Sequence, residues 1–70
     1  MPLLNAPLNT ELRIIKILVD EKTKRHLENL GILVNAKITI LSLSEGNAII
    51  KVKNGRLALN KSTALKIFVA

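Results

Sequence analysis

The sequence predicts a small all-β domain: a strongly bent barrel of five short strands with one short helix between the first two. Three observations lead there. From Ala36 onward apolar and polar residues alternate with period two, the mark of strands with one buried face. Asn54-Gly55 stands between two such runs, and both residues tolerate positive φ, so the chain reverses there in a tight hairpin. Hydrophobic residues make up 49% of the chain, yet Phe68 is the only aromatic, so Ile, Leu and Val must fill the core. Seventy residues allow one domain, read as residues 1–70 with its organised part over 8–69. There is no cysteine to supply a disulfide or a thiolate metal ligand.

Each element has its own signal. Leu12 to Val19 is rich in β-branched residues, but Arg13 spoils one parity and Lys16 the other. One inserted residue, a β-bulge, resolves the conflict by letting Ile14 and Ile17 face the same side. Asp20 offers an acceptor to the free amides of a following helix, and Gly31 can take the left-handed conformation that ends one. Between them Thr23, Leu27 and Leu30 share a face suited to plugging a barrel end, with Glu21 spaced to pair with Arg25. Ile38 and Ile40 alternate with Lys37 and Thr39 until Ser44-Glu45-Gly46-Asn47 breaks the strand, and Ala48, Ile50 and Val52 resume it. Arg56 to Leu59 returns, Asn60 to Thr63 reads as a capped single turn, and Leu65, Ile67 and Val69 form a last strand. The expected core is Ile14, Ile17, Leu27, Leu30, Ile38, Ile40, Ile50, Val52, Leu57, Leu59, Ile67 and Val69.

A helix after the first strand and a single turn before the last describe an SH3-like barrel. The competing OB-fold places its helix between the third and fourth strands, and the element order here decides against it.

Leu27-Glu28-Asn29-Leu30-Gly31-Ile32, Ala36-Lys37-Ile38-Thr39-Ile40, Ile50-Lys51-Val52, Leu57-Ala58-Leu59 and Ala64-Leu65-Lys66-Ile67-Phe68-Val69 together resemble the FeoA family of ferrous iron transport accessory proteins. The match runs from about Leu8 to Val69, and its motifs are mostly structural. The resemblance implies a cytoplasmic SH3-like protein that binds or regulates FeoB, the membrane ferrous iron transporter with a cytosolic GTP-binding domain. Similar barrels form the C-terminal domain of iron-dependent repressors of the DtxR type; those carry a separate DNA-binding domain, for which the stretch before Leu12 is too short. The family usually has glycine where this chain has Asn9, Pro-Gly where it has Val34-Asn35, and often arginine where it has Asn60. Asparagine is the best non-glycine residue at positive φ, so both turns are expected to survive, and Asn60 can cap the turn that follows it.

Composition narrows the function classes. The formal charge of +6 favours an acidic protein, a nucleic acid or an anionic surface as neighbour. No apolar run reaches the roughly 18 residues of a membrane span, and Met1 to Asn9 has no secretion signal, which reads as a cytoplasmic protein without membrane insertion. Asp20, Glu21, His26, Glu28 and Glu45 are the metal-ligand candidates; His26 and Glu28 fall on different helix faces and Asp20 is needed as a cap, so no metal site and no cofactor is expected. Ser42, Ser44, Ser62 and Thr63 have no base spaced to activate them, so no enzyme activity is expected. Lys37, Lys51, Lys53, Arg56 and Lys66 could together track phosphates, the alternative reading of a basic barrel that binds nucleic acid, but one phenylalanine is too few for base stacking. Lysines on outward strand positions also keep a small barrel soluble.

Protein binding rests on an excess of apolar side chains over inward positions. With the core filled as above, Ile15, Leu41, Leu43, Ile49 and Phe68 are left facing outward and Leu33 and Val34 lie in a loop, unless the arm carrying Leu3, Leu4 and Leu8 folds back over part of them. The expected partner surface is therefore Leu33, Val34, Leu41, Leu43 and Phe68 rimmed by Lys37 and Lys66, docking on the transporter's cytosolic part. Weak self-association is compatible with the same surface.

Overall fold

The computed structural model describes residues 1–53 and 55–70. Five strands, β1 (Glu11–Ile17), β2 (Lys37–Ser44), β3 (Asn47–Val52), β4 (Gly55–Asn60) and β5 (Ile67–Val69), form one antiparallel sheet in the order β4-β3-β2-β1-β5. The sheet curls into an SH3-like barrel, with helix α1 (Glu21–Asn29) between β1 and β2 and the short α2 (Lys61–Ala64) before β5.

Curling is achieved by bending β1. Its first half pairs with β2 through Glu11↔Thr39 and Arg13↔Lys37, and its second half with β5 through Ile14↔Val69 and Ile17↔Ile67. The expected bulge lies between Ile14 and Lys16. It leaves Ile15 as the extra residue, turns Ile14 into the core and exposes Ile15. A second bulge, which the sequence did not announce, lies between Ile40 and Ser42, with Leu41 as the extra residue. It inverts the parity of the rest of β2: Leu43 pairs with Ala48, and directly opposed residues of an antiparallel pair share a face. Ala48 is fully buried and itself pairs with buried Leu59, so Leu43 shares their side of the sheet, yet at the end of the strand it stays 42% exposed, as expected of an apolar residue left over from the core.

The helix ends are built as the sequence indicates. The Thr23 backbone N–H donates to Asp20 Oδ1 at 2.9 Å. At the other end Gly31, at φ 92°, donates to the Glu28 carbonyl and Ile32 to the Leu27 carbonyl, a Schellman turn that buries Ile32 against Leu27. Glu21 and Arg25 form no ion pair; the one ion pair among the described residues joins Lys37 to Glu11 at 3.8 Å, both highly exposed. Asn60 Oδ1 accepts from the Thr63 N–H at 2.9 Å and caps α2. Among the described residues only two non-glycine residues adopt positive φ, Asn9 at 60° and Asn35 at 76°, the two turns at which asparagine was expected to take that conformation. Of the expected hairpin dipeptide, Asn54 lies outside the described residues; Gly55 follows at φ 135° and pairs with Val52.

The core is entirely aliphatic. Leu3, Ile14, Leu27, Ile32, Ile38, Ile40, Ile50, Ile67 and Val69 are fully enclosed, and no polar or charged described residue is buried. The expected core needs correction at its margins. Leu30, Ile17 and Leu57 are only half-buried, at the margins of the core. Leu65 is 56% exposed, because it caps α2 in helical conformation and β5 starts only at Ile67. Ala48 and Ala64, small enough to let neighbouring backbones approach, are fully buried. The N-terminal arm does fold back, with Pro2 bridging to Phe68, but it also enters the barrel: a 3₁₀ turn at Leu3–Asn5 drives Leu3 into the core beside α2 and β5. Met1 exchanges two hydrogen bonds with Val69, its N-terminal ammonium donating to the Val69 carbonyl at 2.8 Å and its carbonyl accepting from the Val69 N–H at 2.8 Å. The arm thereby covers the outer edge of β5.

Candidate functional site

The Schellman turn places Leu33 and Val34 immediately after a buried anchor, Ile32, so their side chains are directed outward at the end of α1. Asn35 fixes the turn from the other side: its N–H donates to the Ile14 carbonyl at 2.7 Å while Ala36 accepts from Ile14 at 2.9 Å. Held between these anchors, Leu33 and Val34 stay 42% and 48% exposed. An apolar pair on a tightly hydrogen-bonded loop is already organised for contact, and little conformational entropy remains to be lost when it binds.

Three adjoining depressions surround the end of α1. The largest of the three, about 450 Å³, is lined by Asn29, Gly31, Leu33, Lys37 and Lys53. A second, about 350 Å³, is lined by Ile17, Ile32, Val34 and Lys24. Glu28 and Leu33 belong to both. A third, about 240 Å³, continues from Asn29 past Leu30 to Gly55, Arg56 and Leu57 on β4. Four cations, Lys24, Lys37, Lys53 and Arg56, edge this surface against one carboxylate, Glu28, leaving a net positive apolar trough. Such a trough can hold an extended or helical segment with apolar and acidic side chains.

The structure gathers some of the expected surface residues and separates others. Leu33, Val34 and Lys37 lie together around the trough. Leu43 lies six residues further along β2, about 20 Å in a regular strand, in a molecule whose longest extent is 28 Å. Leu43 and half-buried Leu41 therefore lie toward the opposite end of β2. Phe68 does face outward, opposite Lys16, but Pro2 bridges to it and half-covers it. Lys66 lies just before β5, where its carbonyl accepts from the Leu18 N–H. Residues that sequence reading did not assign to this surface are Lys24, Glu28 and Asn29 on α1 and Lys53 and Arg56 beside the hairpin. Only the fold brings them beside Leu33.

Among the described residues, no three His, Asp or Glu side chains converge. His26 and Glu28 are both exposed. Hydrogen bonding from Thr23, first its side chain and then its backbone N–H, holds the Asp20 carboxyl below its ordinary 3.8, with Lys66 and Lys22 adding smaller attractions. This is the signature of a cap. No described helix is long and apolar enough to cross a membrane.

Comparison with known proteins places the chain. A family model, the FeoA domain, matches residues 1–70. Among solved structures the chain is similar to an iron uptake regulatory protein (FeoA), at 24% identity and TM-score 0.87, over 99% of this chain and 93% of that one. It is similar to the FeoA protein from Chlorobium tepidum at 18% identity and TM-score 0.89, over 99% of this chain and 68% of that one. A manganese-dependent transcriptional repressor contains the same fold, at 18% identity and TM-score 0.89, with this chain spanning 40% of its length. A comparison with curated protein sequences finds no match. The likeness to solved structures establishes the fold, and the match along residues 1–70 establishes the kinship: this chain belongs to the FeoA family.

Proposed function

We propose that this chain is a cytoplasmic accessory or regulatory protein of ferrous iron transport that binds the FeoB-type membrane transporter through the transporter's cytosolic part. Family membership supports the connection to iron uptake, and the observation that carries the binding role is the exposed pair Leu33 and Val34, standing in an apolar trough edged by lysines. Apolar side chains held out on a rigid loop are the usual core of a protein interface, and a charged rim selects the partner and speeds encounter. The face differs from the one expected from alternation alone: it retains Leu33, Val34 and Lys37, and it exchanges Leu41, Leu43, Phe68 and Lys66 for Lys24, Asn29, Lys53 and Arg56. The chain acts by occupancy, without chemistry of its own.

The test is affinity co-purification of the tagged chain with the detergent-solubilised transporter. The double substitution Leu33→Asp, Val34→Asp is expected to abolish recovery, with far-UV circular dichroism unchanged, while Leu43→Asn leaves recovery intact. Undiminished recovery with the double variant would reject this face.

A further inference from the structure

The two edges of the sheet are treated differently. The outer edge of β5 is paired by Met1 and bridged by Pro2. The outer edge of β4 is not paired by any described residue: β4 has β3 on one side and ends the strand order. Counted from the bond that the Lys61 N–H donates to the Gly46 carbonyl at 3.0 Å, where the β3–β4 ladder begins, the alternation makes Ala48↔Leu59, Ile50↔Leu57 and Val52↔Gly55 the hydrogen-bonded pairs. The main-chain groups of Arg56 and Ala58 therefore point away from β3, and among the described residues they find no main-chain partner outside the sheet.

A free edge is a template for another strand unless something guards it. Here the guard is charge. Arg56 lies opposite Lys51 on the outer face, Lys53 follows β3, and the acidic residue nearest the trough is Glu28 on α1. A second copy of this chain would bring another Arg56 and another +6 to the same edge, and like charges across a strand pair are destabilising. An extended segment carrying Asp or Glu would instead neutralise Lys51, Lys53 and Arg56 while its main chain satisfies Arg56 and Ala58. The third depression, between Leu30 at the C-terminal cap of α1 and Leu57 on β4, lies along this edge with room for an apolar side chain of the added strand.

Resting on the docking role proposed above, we infer that the partner contributes an extended acidic segment that adds to β4 as a sixth strand, pairing with Arg56 and Ala58 and directing an apolar side chain between Leu30 and Leu57. Strand addition gives affinity through main-chain bonds and specificity through alternate side chains. The trough around Leu33 and the β4 edge share Asn29 as a boundary, so one partner can occupy both.

Ala58→Pro isolates the edge. Proline removes the outward N–H, and edge strands accept it where that N–H faces solvent, so the β3 ladder is retained. With the detergent-solubilised transporter as probe, Ala58→Pro and Arg56→Glu are each expected to weaken binding about tenfold or more. In the wild-type complex, hydrogen exchange over residues 55–60 is expected to slow, a readout that does not depend on how Ala58→Pro folds. If the Leu33, Val34 variant loses binding while Ala58→Pro and Arg56→Glu bind as wild type and exchange over 55–60 is unchanged, strand addition is wrong and the docking role stands. If no variant alters binding, both fall. Slowed exchange over 55–60 in the concentrated protein alone identifies a second copy as the occupant and overturns the acidic segment.

Discussion

Replacing Leu3 by alanine tests whether the N-terminal arm is part of the barrel. Leu3 has no exposed surface and sits on a 3₁₀ turn against α2 and β5, so truncation leaves a void that rigid strands on one side cannot collapse to fill. Buried leucine-to-alanine changes cost about 2–5 kcal/mol, transfer and cavity contributions together. A chain of this size has a total stability of about 3.5–10 kcal/mol, so a loss of this kind removes a large part of it. At about 4–8 °C per kcal/mol for a small domain, a mid-range loss lowers Tm by roughly 12–24 °C. Leu8, 47% exposed on the same arm, provides the comparison, with an expected change within about 0.5 kcal/mol. With neither Trp nor Tyr in the chain, the assay is urea unfolding followed by far-UV circular dichroism. A Leu3→Ala midpoint matching that of Leu8→Ala would refute the reasoning, since it would mean that the arm leaves the barrel at little cost.

Other consequences follow from single residues. Asn35 holds φ 76°, so Asn35→Gly should be nearly neutral whereas Asn35→Val should cost about 1–3 kcal/mol in the same urea assay, because a β-branched side chain resists that backbone conformation. The Asp20 carboxyl is held below its ordinary 3.8 by Thr23, so its contribution is complete above the unfolded-state pKa and is lost as pH falls through the lower folded value. Asp20→Asn, which keeps a capping oxygen, should therefore flatten the decline in stability below about pH 4 that the wild type shows on acid titration. The exposed Lys37–Glu11 pair at 3.8 Å should contribute little, and Lys37→Met should shift the urea midpoint by the equivalent of no more than about 0.5 kcal/mol in either direction.

The barrel was readable wherever local chemistry created a conflict or a cap. Arg13 and Lys16 cannot both face a core, so the β1 bulge was visible as a parity clash, and Asp20, Gly31 and Asn60 announced their caps. The β2 bulge left no such trace. Leu41, Ser42 and Leu43 alternate acceptably in either register, so only the pairing with β3 reveals that Leu43 shares a side with Ala48. The arm escaped for a different reason: Pro2 and Pro7 bracket a stretch with no strand or helix period, and its place is set by packing against α2 and β5, which no local signal encodes. Leu65 reads as strand because it continues the alternation of Ile67 and Val69, but the turn capped by Asn60 extends one residue further than its cap alone specifies.

The candidate site divides along the same line. Leu33 and Val34 were recognisable as apolar residues stranded in a loop, since a helix end precedes them and a lysine-bearing strand follows. Their neighbours Lys24, Asn29, Lys53 and Arg56 come from α1 and from either side of the β3–β4 turn, and their convergence is a property of the curled sheet.

Site-specific photo-crosslinking in cells tests the docking role most directly. A crosslinking amino acid at position 33 should capture the FeoB-type transporter, while the same group at position 45, on the turn at the far end of β2, should not. Capture from position 45 but not from position 33 would contradict the account.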